Sequence, residues 1–289
     1  MITNEPSTQQ TPQPTEHAGL SQQYPTDLPQ PVPSAESDAQ NPWLKLLFAI
    51  LTWFGSVLLL IFVPAIVAVP YLVYLWRTRG MPRPEVLTSD KAFLFISILG
   101  IIPTHLLTLL LVWLVVTGWR KRPFWKTVGF EWPTSVGPVA GTALCILTAG
   151  VLLAIGFLVT NFWGGSKTQL DLLVESSIPA RLATAFVAVF TAPLVEELIY
   201  RGVLYTAIER ALGRGVAIFA VSLLFAGVHV FQYVNNVAVI TVITLLSFTL
   251  TFARAYSGKL LPSFVIHLVF NGVQSIIIAL APFFGWGSS

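Results

Sequence analysis

Charge is what this sequence has least of. Lys, Arg, Asp and Glu make up 10% of its 289 residues, against 55% hydrophobic ones, where a soluble domain carries about 25% charged residues. So little charge cannot coat a water-facing surface, and a mean hydropathy of +0.75 assigns the chain to the membrane. Cysteine is nearly missing: Cys145 is alone, which excludes an internal disulfide and leaves it as a small hydrophobe within an apolar run. Asp is absent from every long apolar run, which argues against aspartyl intramembrane chemistry. HExxH is absent too, as is a GxSx-type serine pattern with a suitable His. The modest net charge of +3 fits basic loops at a membrane surface and speaks against nucleic-acid binding.

Lys and Arg are also missing from residues 1–42, where eight prolines sit among Gln, Ser and Thr. That composition cannot bury a core and reads as a disordered, solvated tail; without a basic stretch or apolar centre it is no secretory signal.

What is present is a series of seven apolar runs, at 43–76, 92–117, 136–161, 182–208, 215–234, 237–253 and 261–284. Continuous runs of this length predict helices, whose backbones satisfy themselves in lipid. The first is overlong and holds Pro64 and Pro70, which predicts tilt or a kink. Most tryptophans sit near run ends, as expected of interfacial indoles. With seven spans, nine Lys and Arg residues (Lys45, Arg120, Lys121, Arg122, Lys126, Arg210, Arg214, Arg254 and Lys259) fall on the side of the N-terminus. Six (Arg77, Arg79, Arg83, Lys91, Lys167 and Arg181) fall opposite, a bias towards a cytoplasmic N-terminus.

Ionisable residues inside the runs are few: His105, Glu196, Glu197, Arg201, His229 and His267, with Asn271 the notable amide. Glu196 falls about midway between Arg181 and Glu209–Arg210, near the middle of the hydrocarbon, where a charge costs at least about 2.5 kcal/mol. Glu197 and Arg201 are four apart, share a helix face and can pair. Glu196 is rotated about 100° from them and has no local partner. Pro193, one turn earlier, frees a backbone carbonyl and can kink the helix. Phe225 and His229 share one face of the fifth run, and His267 and Asn271 one face of the seventh. Counted inward along straight helices, Glu196, His229 and Asn271 lie about 18–22 Å deep and His267 about 12 Å. His105, beside Pro103, reads as packing, and Tyr200, Tyr205 and Gln232 are at most extensions of the network.

A carboxylate beside a neutral imidazole can polarise a water and take its proton. A His–Asn pair on a facing helix can donate to a carbonyl oxygen as negative charge gathers on it. Together they suffice for water attack on an amide without serine, cysteine or metal.

Three spacings carry a resemblance. Glu196-Glu197-x-x-x-Arg201 matches EExxxR, Phe225-x-x-x-His229 matches FxxxH, and His267-x-x-x-Asn271 matches HxxxN. In this order, over roughly 180–284, the chain resembles the CPBP family of intramembrane glutamic proteases, the CAAX-protease and bacteriocin-processing group. The resemblance implies an all-α fold and no cofactor. It gives Glu196 and His229 the activation of water, His267 and Asn271 the oxyanion, and Glu197 and Arg201 the support of the site, with Phe225 beside them. Family members trim prenylated CAAX proteins or act in bacteriocin maturation or immunity.

The expectation is therefore a polytopic transmembrane bundle of about seven spans, eight being the alternative count. It divides into the tail at 1–42, N-terminal transmembrane helices at 43–179 and a catalytic helical core at 180–289. It would sit in a prokaryotic plasma membrane and cleave a membrane-associated protein or peptide. Three alternatives stay open: a non-catalytic scaffold or bacteriocin-immunity protein of the same fold, a zinc-dependent variant using Glu196, His229 and His267, and a proton-coupled transporter.

Overall fold

The computed structural model describes residues 1, 41–87, 89–164, 168–230, 232–233 and 236–280. Nearly all of the tail expected at 1–42, and the last residues of the seventh run at 281–284, lie outside them. The described chain is helical and contains no strand. Among the described residues, six helices are long and apolar enough to cross a membrane: α1 (Pro42–Arg79), α2 (Lys91–Thr117), α3 (Pro138–Trp163), and, after the short amphipathic α4 (Gln169–Ser176), α5 (Ile178–Leu212), then α7 (Val237–Ser257) and α8 (Leu261–Leu280). Between α5 and α7, α6 (Arg214–Val230) is apolar but only 17 residues long, about 25 Å, less than the roughly 30 Å of a hydrocarbon core. The fifth apolar run is thus helical over a shorter stretch than expected. Large apolar side chains such as Phe54, Ile61, Phe62, Leu147 and Phe157 face outward, as they do in an integral membrane protein.

Local chemistry sets the helix ends. Asn41 caps α1, accepting from the Trp43 N–H at 3.0 Å, and Asp90 caps α2, accepting from Ala92 and Phe93 at 3.0 and 2.9 Å; each satisfies N–H groups that the first turn leaves unpaired. Thr168 and Asp171 form a capping box on α4, and Ser177 starts α5. Gly213 alone joins α5 to α6 at φ 90°, a conformation that favours glycine.

α1 runs along α2, α6 along α7, and α3 against both α7 and α8. Where α1 meets α2, a Cβ on Gly100 would approach the Pro64 Cα to 2.8 Å, so the missing side chain permits the crossing. One apolar core joins α1, α5 and α6 through Leu46, Leu198, Leu204, Val221 and Phe225; a second joins α3, α7 and α8 through Ala149, Leu250 and Phe270. Outside the membrane, the Leu260 N–H donates to the Gly129 carbonyl at 2.8 Å and Lys259 pairs with Glu131. That ammonium holds the Glu131 carboxyl below its usual range.

α5 is not a continuous α-helix. Two wider π turns interrupt it, at Val187–Thr191 and Glu197–Leu204. In the first, the Ala192 N–H reaches back five residues to the Val187 carbonyl; after the second, the Tyr205 N–H reaches back to Tyr200. Pro193 supplies one cause, because it has no N–H to continue an α pattern. Such π turns gather at functional positions, and these two bracket Glu196.

Candidate active site

Glu197 and Arg201 turn inward on α5, and both are fully buried. Their pair closes at 3.1 Å between Arg201 Nη1 and Glu197 Oε1, as the i, i+4 spacing predicts. Arg201 spends its other donors on α7: Nη2 on the Ser247 carbonyl and hydroxyl at 3.1 and 3.0 Å, Nε on Thr251 Oγ1 at 3.3 Å. Ser247 in turn donates to the Ser222 carbonyl of α6 at 3.1 Å. A buried guanidinium with all three nitrogens engaged is the condition under which such a pair persists in a low dielectric.

These α7 partners carry no motif, and sequence reasoning missed them. It also placed Arg254 at a membrane face. The structure buries Arg254, with Nε donating to the Arg201 carbonyl at 3.1 Å and Nη2 to Thr206 Oγ1 at 3.2 Å. A signal was available: Ser247, Thr251 and Arg254 fall at i, i+4 and i+7, one stripe of an otherwise apolar helix.

Glu196 points elsewhere. Its side chain is 24% exposed and lines a cavity of about 630 Å³ between α2, α3, α5, α6, α7 and α8. His229, His267 and Asn271 line the same cavity, as do apolar side chains including Ile98, Leu153, Val242 and Phe270. All four residues expected to do chemistry thus meet in one space, delivered by three helices. Gln232 lines it too, whereas Tyr205 turns away to donate to Glu209 at 2.9 Å. Tyr200 is tied to α1, its hydroxyl accepting from Trp53 Nε1 at 3.2 Å.

The imidazoles are oriented by their partners. His229 Nδ1 lies 2.8 Å from the Phe225 carbonyl; a carbonyl only accepts, so Nδ1 carries a proton, and in the neutral ring Nε2 keeps its lone pair. His267 is buried between two carboxylates, with Nδ1 3.1 Å from Glu197 Oε1 and Nε2 3.6 Å from Glu196 Oε2. Phe225 holds the group together. Its ring lies 4.6 Å from that of His229 and 6.0 Å from that of His267, and the Arg201 guanidinium stacks 4.5 Å from its centroid, within cation–π range. The phenylalanine of FxxxH is therefore the surface on which the three motifs meet.

Asn271 donates from Nδ2 to the Ala188 carbonyl at 3.0 Å. The reason lies in Pro193: in the first π turn the partner five residues on from Ala188 would be the Pro193 N–H, which does not exist, while the Ala192 N–H is already spent on Val187. The carbonyl freed by the proline is taken up by the amide of α8, which leaves Asn271 one further N–H.

His105, expected only to pack, bonds through Nδ1 to Thr191 Oγ1 at 2.8 Å. No group of three or more His, Cys, Asp or Glu able to hold a metal occurs among the described residues. Chemically, the cavity offers a carboxylate, an imidazole with a bare nitrogen, and N–H donors on the facing helix.

Neither the curated proteins nor the solved structures contain a match to this chain. Residues 178–273, which contain all three motifs and end two residues beyond Asn271, match the family model described as "Type II CAAX prenyl endopeptidase Rce1-like", so the C-terminal helices of this integral membrane protein match the CPBP/CAAX-protease family that their motifs resemble.

Proposed function

We propose that this protein is an intramembrane endopeptidase that hydrolyses a peptide bond of a membrane-associated protein or peptide by means of a water activated by Glu196 and His229. The family match implies a protease of CAAX type. The observation that carries the finer reading is the division of labour between adjacent glutamates: Glu197 is sealed against Arg201, while Glu196 faces a cavity shared with His229, His267 and Asn271.

In the proposed reaction the water oxygen adds to the scissile carbonyl carbon, and its proton passes to Glu196 or to the bare Nε2 of His229. The developing oxyanion is met by donors from α8: the second amide hydrogen of Asn271 and, with His267 protonated on both nitrogens, its Nε2–H. In that state Glu196, Glu197, Arg201 and His267 sum to zero charge, which suits a buried cluster. Collapse breaks the C–N bond, and the proton held by Glu196 or His229 leaves on the amine. The apolar walls would receive the membrane-embedded part of the substrate.

The catalytic core is assigned to 180–289 and the N-terminal helices to 43–179. We place the protein in a prokaryotic plasma membrane, following the family resemblance, and orient its N-terminus to the cytoplasm on the Lys and Arg distribution. Burial of Arg254 trims that distribution from nine against six to eight against six. The test is proteomic. Membrane peptides that appear with the wild type should vanish with Glu196→Gln while the protein accumulates normally. Peptides that persist, or a variant that fails to accumulate, would overturn the reading.

A further inference from the structure

His105 lies in α2, outside the three motifs and outside the matched segment 178–273, yet it touches the helix that carries Glu196. It is only 8% exposed. The single hydroxyl hydrogen of Thr191 goes to the Val187 carbonyl at 3.2 Å, so Thr191 Oγ1 has only lone pairs to offer His105. In that arrangement Nδ1 carries the proton and donates across 2.8 Å. The Val187 carbonyl is also the acceptor of the Ala192 N–H, the bond that closes the first π turn. Imidazole, hydroxyl, carbonyl and amide thus form one chain of hydrogen bonds around that turn. It ends at Thr191, whose φ of −107° is wider than that of a regular α-helix, two residues before Pro193. Glu196 follows within little more than one turn.

The turn matters because a π insertion offsets all that follows. Each residue of an α-helix rotates by about 100°, so returning the widened turn to α geometry would swing Glu196 by roughly that angle. We propose that His105 is a positioning residue: through Thr191 it fixes the first π turn and thereby sets the rotation at which Glu196 meets the cavity and His267. Its activity arm rests on the endopeptidase reading; its geometric arm does not.

The experiment uses full-length protein purified in detergent. In a Cys145→Ala background, the thiol of Glu196→Cys is titrated with a water-soluble maleimide, with and without His105→Ala. A change in alkylation rate of about fivefold or more is expected, on the scale that angstrom-level misplacement produces at a site. In the wild-type background, His105→Ala and Thr191→Val should each lower kcat about tenfold with KM little changed. The double variant should be no worse than either single one, because both remove the same bond. His105→Asn, whose amide can donate where Nδ1–H does, should recover most of the rate. An unchanged alkylation rate, additive losses, or no rescue by Asn would each overturn the proposal. If the wild type shows no cleavage, or Glu196→Gln cleaves normally, the endopeptidase reading fails alone and the thiol titration still decides the role of His105.

Discussion

Two neighbourhoods meet at the peptide bond between Glu196 and Glu197. On one side the carboxylate of Glu197 is shut in with Arg201, His267, Ser247 and Thr251, where the guanidinium nitrogens all have partners. On the other, Glu196 keeps a quarter of its side chain open to a cavity and stands 3.6 Å from the nearest imidazole nitrogen. Two identical side chains about 100° apart on one helix thereby sit in opposite surroundings, which under the proposed reading suit opposite tasks. An ion pair whose guanidinium nitrogens all have partners resists change and, through Ser247 and Ser222, links α5, α7 and α6; a carboxylate with few fixed partners can accept and release a proton.

Substitutions can separate these tasks. The largest effect is expected from Glu196→Gln, which keeps the size of the side chain and removes its basicity: cleavage should fall by about 10³-fold or more, with the thermal midpoint of the purified protein little altered. His229→Ala should follow the same pattern with a loss of about 10²–10⁴-fold. On the sealed side, Arg201→Ala or Glu197→Ala strands the opposite charge, which costs about 3–5 kcal/mol; the loss should appear in membrane yield and melting temperature as well as in activity. Replacing the pair together, as Glu197→Gln with Arg201→Met, should recover part of the stability without recovering cleavage. Asn271→Leu comes next. It leaves the Ala188 carbonyl without its donor at a cost of about 1–3 kcal/mol, measurable as a lower midpoint, and it lowers kcat. Cys145→Ala, in the α3–α7–α8 core but not among the cavity's lining residues, should shift stability by about 1 kcal/mol and leave cleavage unchanged. If the Glu196 and Glu197 variants proved indistinguishable in yield, melting and rate, the contrast between the two neighbourhoods would collapse.

Much of this was readable without coordinates. Long apolar runs demand helices in lipid, so the bundle followed from hydropathy; pairing at i, i+4 followed from the spacing of Glu197 and Arg201; and three spacings in order pointed to one family. What escaped was the departure of α5 from regularity. Counting along straight helices put His267 about 6–10 Å shallower than Glu196, whereas the two side chains meet. π turns climb less per residue than α turns and add rotation, and a single sequence does not announce them beyond a proline such as Pro193. Arg254 was misplaced for a related reason: near a run end a cation reads as a surface marker, and only the helix packed beside it reveals a carbonyl waiting there. His105 lacked any partner by spacing because its partner, Thr191, is 86 residues away.

The shortness of α6 has a bearing on how a reaction that consumes water can proceed in oil. Starting at Arg214, it is spent at Val230 after about 25 Å, short of the roughly 30 Å of a hydrocarbon core. There the Gln232 and Tyr233 amides bond to the His229 and Val230 carbonyls, and both side chains border the cavity. Polar groups at that level would draw the headgroup region towards them, much as a short span thins the bilayer around it. On the proposed reading, water would then reach His229 from the end of a helix that stops early.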